Sequence, residues 1–494
     1  MTHMTTSLTH EEPSSPRAHE FARVLGLLDI VFMITVAVVG PRWITRGARA
    51  GAPSITLWVA AWLLFLLPLA VTVMELSSRY PEQGGQYSWV RRAFGPAHGF
   101  ICGWCLWVNN LFYFAALLLF AAANVAGMLG ARGVGLADSH LYSVTFVLVF
   151  VWLTVALNIR GFGAGRWLQN VGAVATWLPA ALLLMAGGVC LWLFGSATSF
   201  APRELLPRED ALATISLWSA MCFAFSGFEI GAYASGEIKN PQRTVPLAIM
   251  ISGVVVTAFY ILSSTSVLIA LPASALSERT GIADAVALVA SRIGLSGMGV
   301  LTAGLVALGS IAGNSSWFAG SARIAYAAGL DRNLPAPMAR LHPRFATPHV
   351  ALIAQGVITT LIILGSLFLT LSGSQGSVQN AYDEMVNLTI LIYFIPYAYL
   401  FVAVVWLRIQ DPPAPSADLR LIPGGRAGLW IAAGCGLLAT LVSLGLLFVP
   451  PPGTTNVLNF ELKILLNAAL VFGAGAALYV WLRRARPASS DRAI

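Results

Sequence analysis

Apolar stretches of about twenty or more residues, separated by short polar punctuation, recur from position 25 to position 482. Each is long enough to cross a hydrocarbon core of about 30 Å. The pattern predicts an all-α membrane protein with twelve spans, at 24–47, 54–77, 98–128, 140–158, 167–195, 212–236, 246–271, 299–328, 348–371, 382–408, 428–449 and 460–484. Two spans are interrupted at their middles. In span one, Val38-Val39-Gly40-Pro41-Arg42 places glycine, proline and a charge where a continuous helix wants none of them. In span six, Phe225-Ser226-Gly227-Phe228-Glu229 places a glycine and an acid at a comparable depth. The two lie five spans apart, the spacing of two inverted five-helix repeats. Breaks at matching positions point to a transport site near the midplane, because freed N–H and C=O groups must find a ligand or a cavity. A proline kink with a tolerated glycine is the alternative.

Composition sharpens this picture. Hydrophobic residues make up 57% of the 494 and charged residues 10%, against roughly 25% charged in soluble domains. A soluble enzyme of about three domains is excluded. The formal net charge of +8 does not signal nucleic acid, because the basic residues fall singly or in pairs between apolar runs. They act as topology signals. With the N-terminus in the cytoplasm, the inside collects 20 of the 29 Lys and Arg, including Arg79, Arg91, Arg92, Lys239, Arg243, Arg332, Arg340, Arg344, Arg483, Arg484 and Arg486, and nine remain outside. The positive-inside rule therefore places both termini in the cytoplasm. The expected organisation is a polar tail over 1–23 that is no cleavable signal peptide, a ten-helix core over 24–409, a cytoplasmic loop over 410–427, two further helices over 428–484, and a short tail over 485–494. Five cysteines lie inside apolar segments and cannot form a secreted disulfide framework. Cys102 and Cys105 make a C-x-x-C with no partner pair and no nearby His to suggest a metal.

Three motifs resemble one family. Residues 75–89, E-L-S-S-R-Y-P-E-Q-G-G-Q-Y-S-W, followed by Phe94-Gly95-Pro96, resemble the loop after the second helix in the amino acid-polyamine-organocation superfamily of permeases. Residues 225–249, from F-S-G-F-E to E-I-K-N-P-Q-R-T-V-P-L-A-I, resemble its sixth helix and cytoplasmic exit, and 317–335, ending G-L-D-R-N-L-P, its eighth helix and following loop. Ile422-Pro423-Gly424-Gly425 is similar to the bacterial glutamate/GABA antiporter branch. The resemblance implies a five-plus-five inverted-repeat fold, alternating access, and an amino acid or related amine docked on the unwound backbone of helices one and six. Most members carry a Gly-small-Gly hook whose bare N–H groups hold the carboxylate. This chain has Gly40-Pro41-Arg42 instead, and Pro41 has no N–H to offer.

Arg42 is the most informative charge. A guanidinium near mid-membrane costs about 2.5 to 3.5 kcal/mol on insertion scales, so it needs a partner or a wet cavity. Planar and always charged, it is suited to hold a carboxylate in place of the missing backbone donors. Arg46 and Arg49 follow at i+4 and i+7 and extend a basic stripe that disfavours cationic substrates; snorkelling of all three to the outer surface is the alternative. Glu229 matches the superfamily's helix-six acid and suits a proton carrier or a gate; the alternative is a structural acid neutralised by Arg42 or by hydrogen bonds. Glu237, Lys239 and Arg243 are expected at the cytoplasmic gate. By register with the family, Val39, Gly40, Pro41, Ser226 and Gly227 line the pocket with Phe223 and Phe228 on helix six, Asn110 and Phe114 on helix three, Trp317 on helix eight and Asn387 on helix ten.

Span five holds no lysine between Leu168 and Leu193 to stand in for a sodium ion, and no sodium cage of carboxylates is evident, which favours proton coupling or exchange. No cofactor, metal or nucleic-acid partner is expected. The loop over 130–139 lacks the cysteine that a covalent accessory subunit requires, and the final tail is too short for the C-terminal plug of acid-resistance antiporters. The reading is a secondary transporter of amino acids or related amines in a bacterial cytoplasmic membrane. The alternatives are a transporter-like amino acid receptor without net transport, a polyamine permease, and, more remotely, a membrane-embedded enzyme.

Overall fold

The computed structural model describes residues 25–81, 85–207, 211–230, 238–330, 334–372, 377–412, 421–450 and 457–485. Span one is two helices, α1 (Leu27–Val38) and α2 (Pro41–Ala48), bent by 51° at Val39 and Gly40. Pro41 takes the first helical position of α2, where its missing N–H costs no hydrogen bond. Span two is α3 (Ser54–Arg79), with a π-helical turn at Trp62–Leu66. That wider turn lies just ahead of Pro68, which cannot donate to the carbonyl four residues earlier. After it come α4 (Gln86–Phe94), α5 (Pro96–Gly127), the short α6 (Ala131–Ala137), α7 (His140–Arg160) and α8 (Phe162–Leu193).

Span six begins as α9 (Ala211–Ala224) and stops at its break. The second half of the chain contributes α10 (Pro241–Ala270), the short α11 (Gly281–Arg292), α12 (Met298–Leu330), α13 (His349–Ser372), α14 (Val378–Gln410), α15 (Gly425–Leu446) and α16 (Val457–Ala485). Among the described residues ten helices are long and apolar enough to cross a membrane, and the bent α1/α2 pair and the shorter α9 fall at the first and sixth places. The molecule is an all-α membrane protein with the order of spans that its hydropathy predicts.

Burial separates centre from periphery. In the most apolar stretch of α5, 89% of residues are buried inside the protein, against 11% in α16. A helix apolar all round and buried all round belongs at the middle of the bundle, whereas α16 turns its apolar surface outward. α14 is also central, and it runs from Asp383 at one face to Arg408 at the other. These two charges serve below to name the faces.

Candidate functional site

Breaking a helix inside a membrane frees backbone groups that must be satisfied locally. At the first break the phenol of Tyr260, on α10, does this. Its hydroxyl accepts the Gly40 N–H at 3.1 Å and lies 2.8 Å from the Val38 carbonyl and 3.4 Å from the Ala224 carbonyl, so its proton is shared between the two broken spans. The ring is fully buried and stacks on Trp58 with centroids 4.6 Å apart. Here the expectation that the freed groups await a ligand or a cavity is corrected: for these three groups a side chain of the protein fills the role.

One residue further on, Arg42 points into the protein. It is 1% exposed, so the snorkelling alternative does not describe it. Its guanidinium lies over the Trp43 ring at 4.3 Å and over the Tyr113 ring of α5 at 4.2 Å. Both Nη atoms are buried without a hydrogen-bond partner among the described residues. Two ring faces at about 0.5 to 2 kcal/mol each offset part of the cost of burying the charge, but they leave its strong donors unused. A Cβ at Gly40 would lie 2.7 Å from the Trp43 ring, so glycine at the break is what lets that ring close over it. Trp43 meets Phe223 edge-on at 5.2 Å, and Tyr113 is 6.0 Å from Trp317.

The second break is built differently. Gly227 adopts φ +103, and a Cβ there would also approach Val38 to 3.4 Å and Trp317 to 3.9 Å. Its N–H donates to the Tyr397 hydroxyl of α14 at 3.2 Å. Tyr397 in turn lies 3.1 and 3.2 Å from the two oxygens of Glu229, and Tyr393 donates to the same carboxyl at 2.7 Å. Glu229 is fully buried, and among the described residues its side-chain partners are these hydroxyls rather than Arg42. Of the alternative of a structural acid neutralised by Arg42 or by hydrogen bonds, the Arg42 half is corrected, whereas the hydrogen bonds are present.

Charged clusters sit at both faces. Toward the Asp383 face, Arg46 donates to Glu278 at 2.7 Å, to Asp383 at 3.1 Å and to Asn387 at 3.0 Å, while Arg49 donates to the other Glu278 oxygen at 2.8 Å. The cluster ties α2 to α14 and to the segment before α11. Glu278 and Asp383 offset Arg46 and Arg49, so Arg42 is the charge of the basic stripe left without an anionic partner among the described residues. Toward the Arg408 face, fully buried Glu75 accepts from Arg408 at 2.8 Å, from the Ile422 N–H at 3.0 Å and from Arg79 at 3.5 Å. Arg79 also reaches the Asp411 carbonyl, and Tyr80 donates to the Asp411 carboxylate at 3.0 Å.

The sequence-derived site residues therefore divide. Val39, Gly40, Pro41, Arg42, Phe223, Ser226, Gly227, Trp317 and Glu229 gather around the two breaks. Ser226 turns its N–H back to Phe223 at 2.8 Å. Asn110 donates to Leu106 of its own helix at 2.7 Å. Phe114 packs on Phe318 at 4.5 Å while its neighbour Tyr113 takes the place beside Arg42. Phe228 is buried near Gly253 of α10, and Asn387 belongs to the Arg46 cluster. Lys239 and Arg243 are exposed, with the Lys239 N–H donating to Leu25 at 2.9 Å; Glu237 lies outside the described residues. Reasoning from sequence missed Tyr113, Tyr260, Tyr393, Tyr397 and Glu278.

Residues 25–474 match the family described as amino acid permease. The chain is similar to an uncharacterised transporter of Legionella pneumophila, 30% identical over 445 residues, which cover 89% of this chain and 93% of the relative. It is also similar to a protein of Lactococcus lactis named "Probable agmatine/putrescine antiporter", 25% identical over 400 residues, or 80% of each chain. The chain belongs to the amino acid permease family, within the amino acid-polyamine-organocation superfamily, and is a multi-pass membrane transporter of amino acids or amines.

Proposed function

We propose that this permease is a secondary transporter that moves a carboxylate-bearing substrate by alternating access, with Arg42 as the anchor for the carboxylate. The observation that carries the reading is the buried guanidinium of Arg42, held between Trp43 and Tyr113 with both Nη atoms unpartnered. A carboxylate presents two oxygens at the spacing of the guanidinium fork, so it satisfies both donors and neutralises the charge in one contact. Bound substrate would stabilise the site where the empty site is least satisfied, which is what a binding cycle requires.

Glu229 is the proposed coupling group. A buried carboxyl with two tyrosine hydroxyls, one of which also holds the Gly227 N–H, links its protonation to the geometry of the second break. The charged clusters are the proposed gates. Opening the Asp383 face would part Arg46 and Arg49 from Glu278 or Asp383, and opening the Arg408 face would part Glu75 from Arg408. The bias of basic residues supports a cytoplasmic Arg408 face in a bacterial cell. Lys239 and Arg243 belong to that side.

The name of the Lactococcus lactis relative raises agmatine and putrescine as substrates. A dication entering here would meet Arg42, whose charge no described anion offsets, and repulsion in so dry a site disfavours it. The test is uptake of labelled glutamate, alanine, arginine and putrescine into proteoliposomes, with and without the same compound inside and with and without a pH gradient. Arg42-dependent accumulation of alanine or glutamate is expected. Preferred uptake of putrescine, undiminished by Arg42→Ala, would overturn the reading.

A further inference from the structure

We infer that the loop between α12 and α13 is a proton-operated clasp, closed while the His342 imidazole is neutral and opened when it is protonated. The loop lies at the Arg408 face, because α13 runs from His349 toward the end of α14 that carries Asp383. No part of the reading of Arg42 enters this inference.

The clasp is one helical turn, 342–346, tied at both ends. The Arg344 and Phe345 N–H groups both donate to His342 Nδ1, at 3.2 and 3.3 Å. The Ala346 N–H donates to the His342 carbonyl at 2.9 Å, and the His342 N–H to the Thr347 carbonyl at 2.8 Å. Ala346 closes the turn at φ +51, a left-handed conformation that an alanine adopts only under constraint. The Thr347 hydroxyl donates to the Ile159 carbonyl at 2.8 Å, which fastens the turn to the end of α7. The His349 N–H donates to the Thr347 carbonyl at 2.8 Å, which fastens it to α13. One ring nitrogen thus holds a turn on which α7, α12 and α13 meet.

Two N–H donors on Nδ1 require that nitrogen to accept, which fixes the neutral imidazole with its proton on Nε2. An imidazolium has a donor at both nitrogens, so protonation turns two hydrogen bonds into two donor–donor clashes. The described titratable groups of the surrounding elements are Arg340 and Arg344 in the loop, His349 with its ring 5.4 Å away, Arg160 at the end of α7, and Arg323 and Tyr326 in the last turns of α12. None of them is an acid, so the imidazolium gains no partner by staying in place. Histidine changes charge between about pH 5 and 8. The clasp is therefore closed at the upper end of that range and opens toward the lower.

Hydrogen exchange of the full chain in detergent tests this, read on peptides covering 340–350 at about pH 8 and about pH 5. Protection factors remove the intrinsic pH dependence of exchange, and peptides of α5 serve as a reference that should not move. Wild-type protection is expected to fall roughly tenfold in acid, the equivalent of losing both bonds to Nδ1. In His342→Asn an oxygen that accepts but does not titrate stands on Cγ where Nδ1 stood, and protection is expected to stay within about twofold. His342→Ala should be poorly protected at both values; the same result in His342→Asn would still place the closing contact at His342. Equal wild-type protection at the two values, an acid loss that persists in His342→Asn or is shared by α5, or full protection in His342→Ala overturns the inference.

Discussion

The half-helix α2 carries two arginines one turn apart, Arg42 fully buried and Arg46 largely so, and they have opposite surroundings. Arg46 donates to Glu278, Asp383 and Asn387, all within 3.1 Å. Arg42 has two aromatic faces and, among the described residues, no acceptor for either Nη. The same residue type, on the same short helix, is in one case part of a closed charge network and in the other an open valence. A charge whose anionic partners are already in place has little reason to seek a ligand and serves to hold elements together, even though the Arg46 Nε itself has no acceptor among the described residues. One that is stripped of water and left unpaired is costly unless something else completes it. Under the proposed function, the contrast divides α2 into a ligand seat at the break and a latch at the Asp383 face.

The latch end should show the largest response in stability. Glu278→Ala removes the acid shared by Arg46 and Arg49 and leaves Arg46 with Asp383 and Asn387 alone. Breaking one partner from a buried pair costs about 3 to 5 kcal/mol, and the expected outcome is a marked drop in the unfolding temperature in detergent. If Glu278→Ala unfolds like the wild type, the network is not a latch and the contrast loses one side. Arg42→Ala should behave in the reverse sense, costing little stability, because it removes an unpaired charge, and much binding, as taken up below.

Smaller effects sharpen the comparison. Replacing Tyr113 by leucine removes one ring face from Arg42, a contact of about 0.5 to 2 kcal/mol. The substrate's dissociation constant is expected to change by no more than about thirtyfold, with Arg42 still required. Glu229→Gln, at the other break, should abolish the dependence of uptake on a pH gradient while sparing exchange across preloaded vesicles; unchanged pH dependence would give Glu229 a purely structural part. Smallest of all is Arg49→Ala. Its side chain is 43% exposed, and a solvent-screened pair contributes about 0 to 1 kcal/mol, so stability and transport should both stay close to wild type.

The twelve spans were legible because crossing a bilayer demands long apolar runs. The break in span one was legible because Gly40-Pro41 cannot continue a helix and Arg42 cannot lie in lipid unaided. Partners were not. Glu278 lies 232 residues from Arg46 along the chain, and an acid in a short loop reads like any other surface charge. Tyr260 and Tyr397 look like packing residues, two among twelve tyrosines; what singles them out is a backbone vacancy on another helix. Tyr113 was missed by one residue, since a step of one position turns about 100° around a helix and exchanges Phe114 for its neighbour. A usable signal did exist: a buried Arg needs an aromatic or an acid opposite, and Tyr is the more polar of the two candidates on that helix.

The central claim, that the unpaired guanidinium is the carboxylate seat, is tested most directly by the affinity of Arg42→Ala for the best carboxylate substrate of the proteoliposome panel, with Arg42→Lys beside it. A charge-assisted pair contributes about 1.5 to 3 kcal/mol, so Arg42→Ala should bind roughly ten- to a hundredfold more weakly, and Arg42→Lys should recover part of the loss because a point charge cannot reproduce the fork. Wild-type affinity in Arg42→Ala would contradict the account.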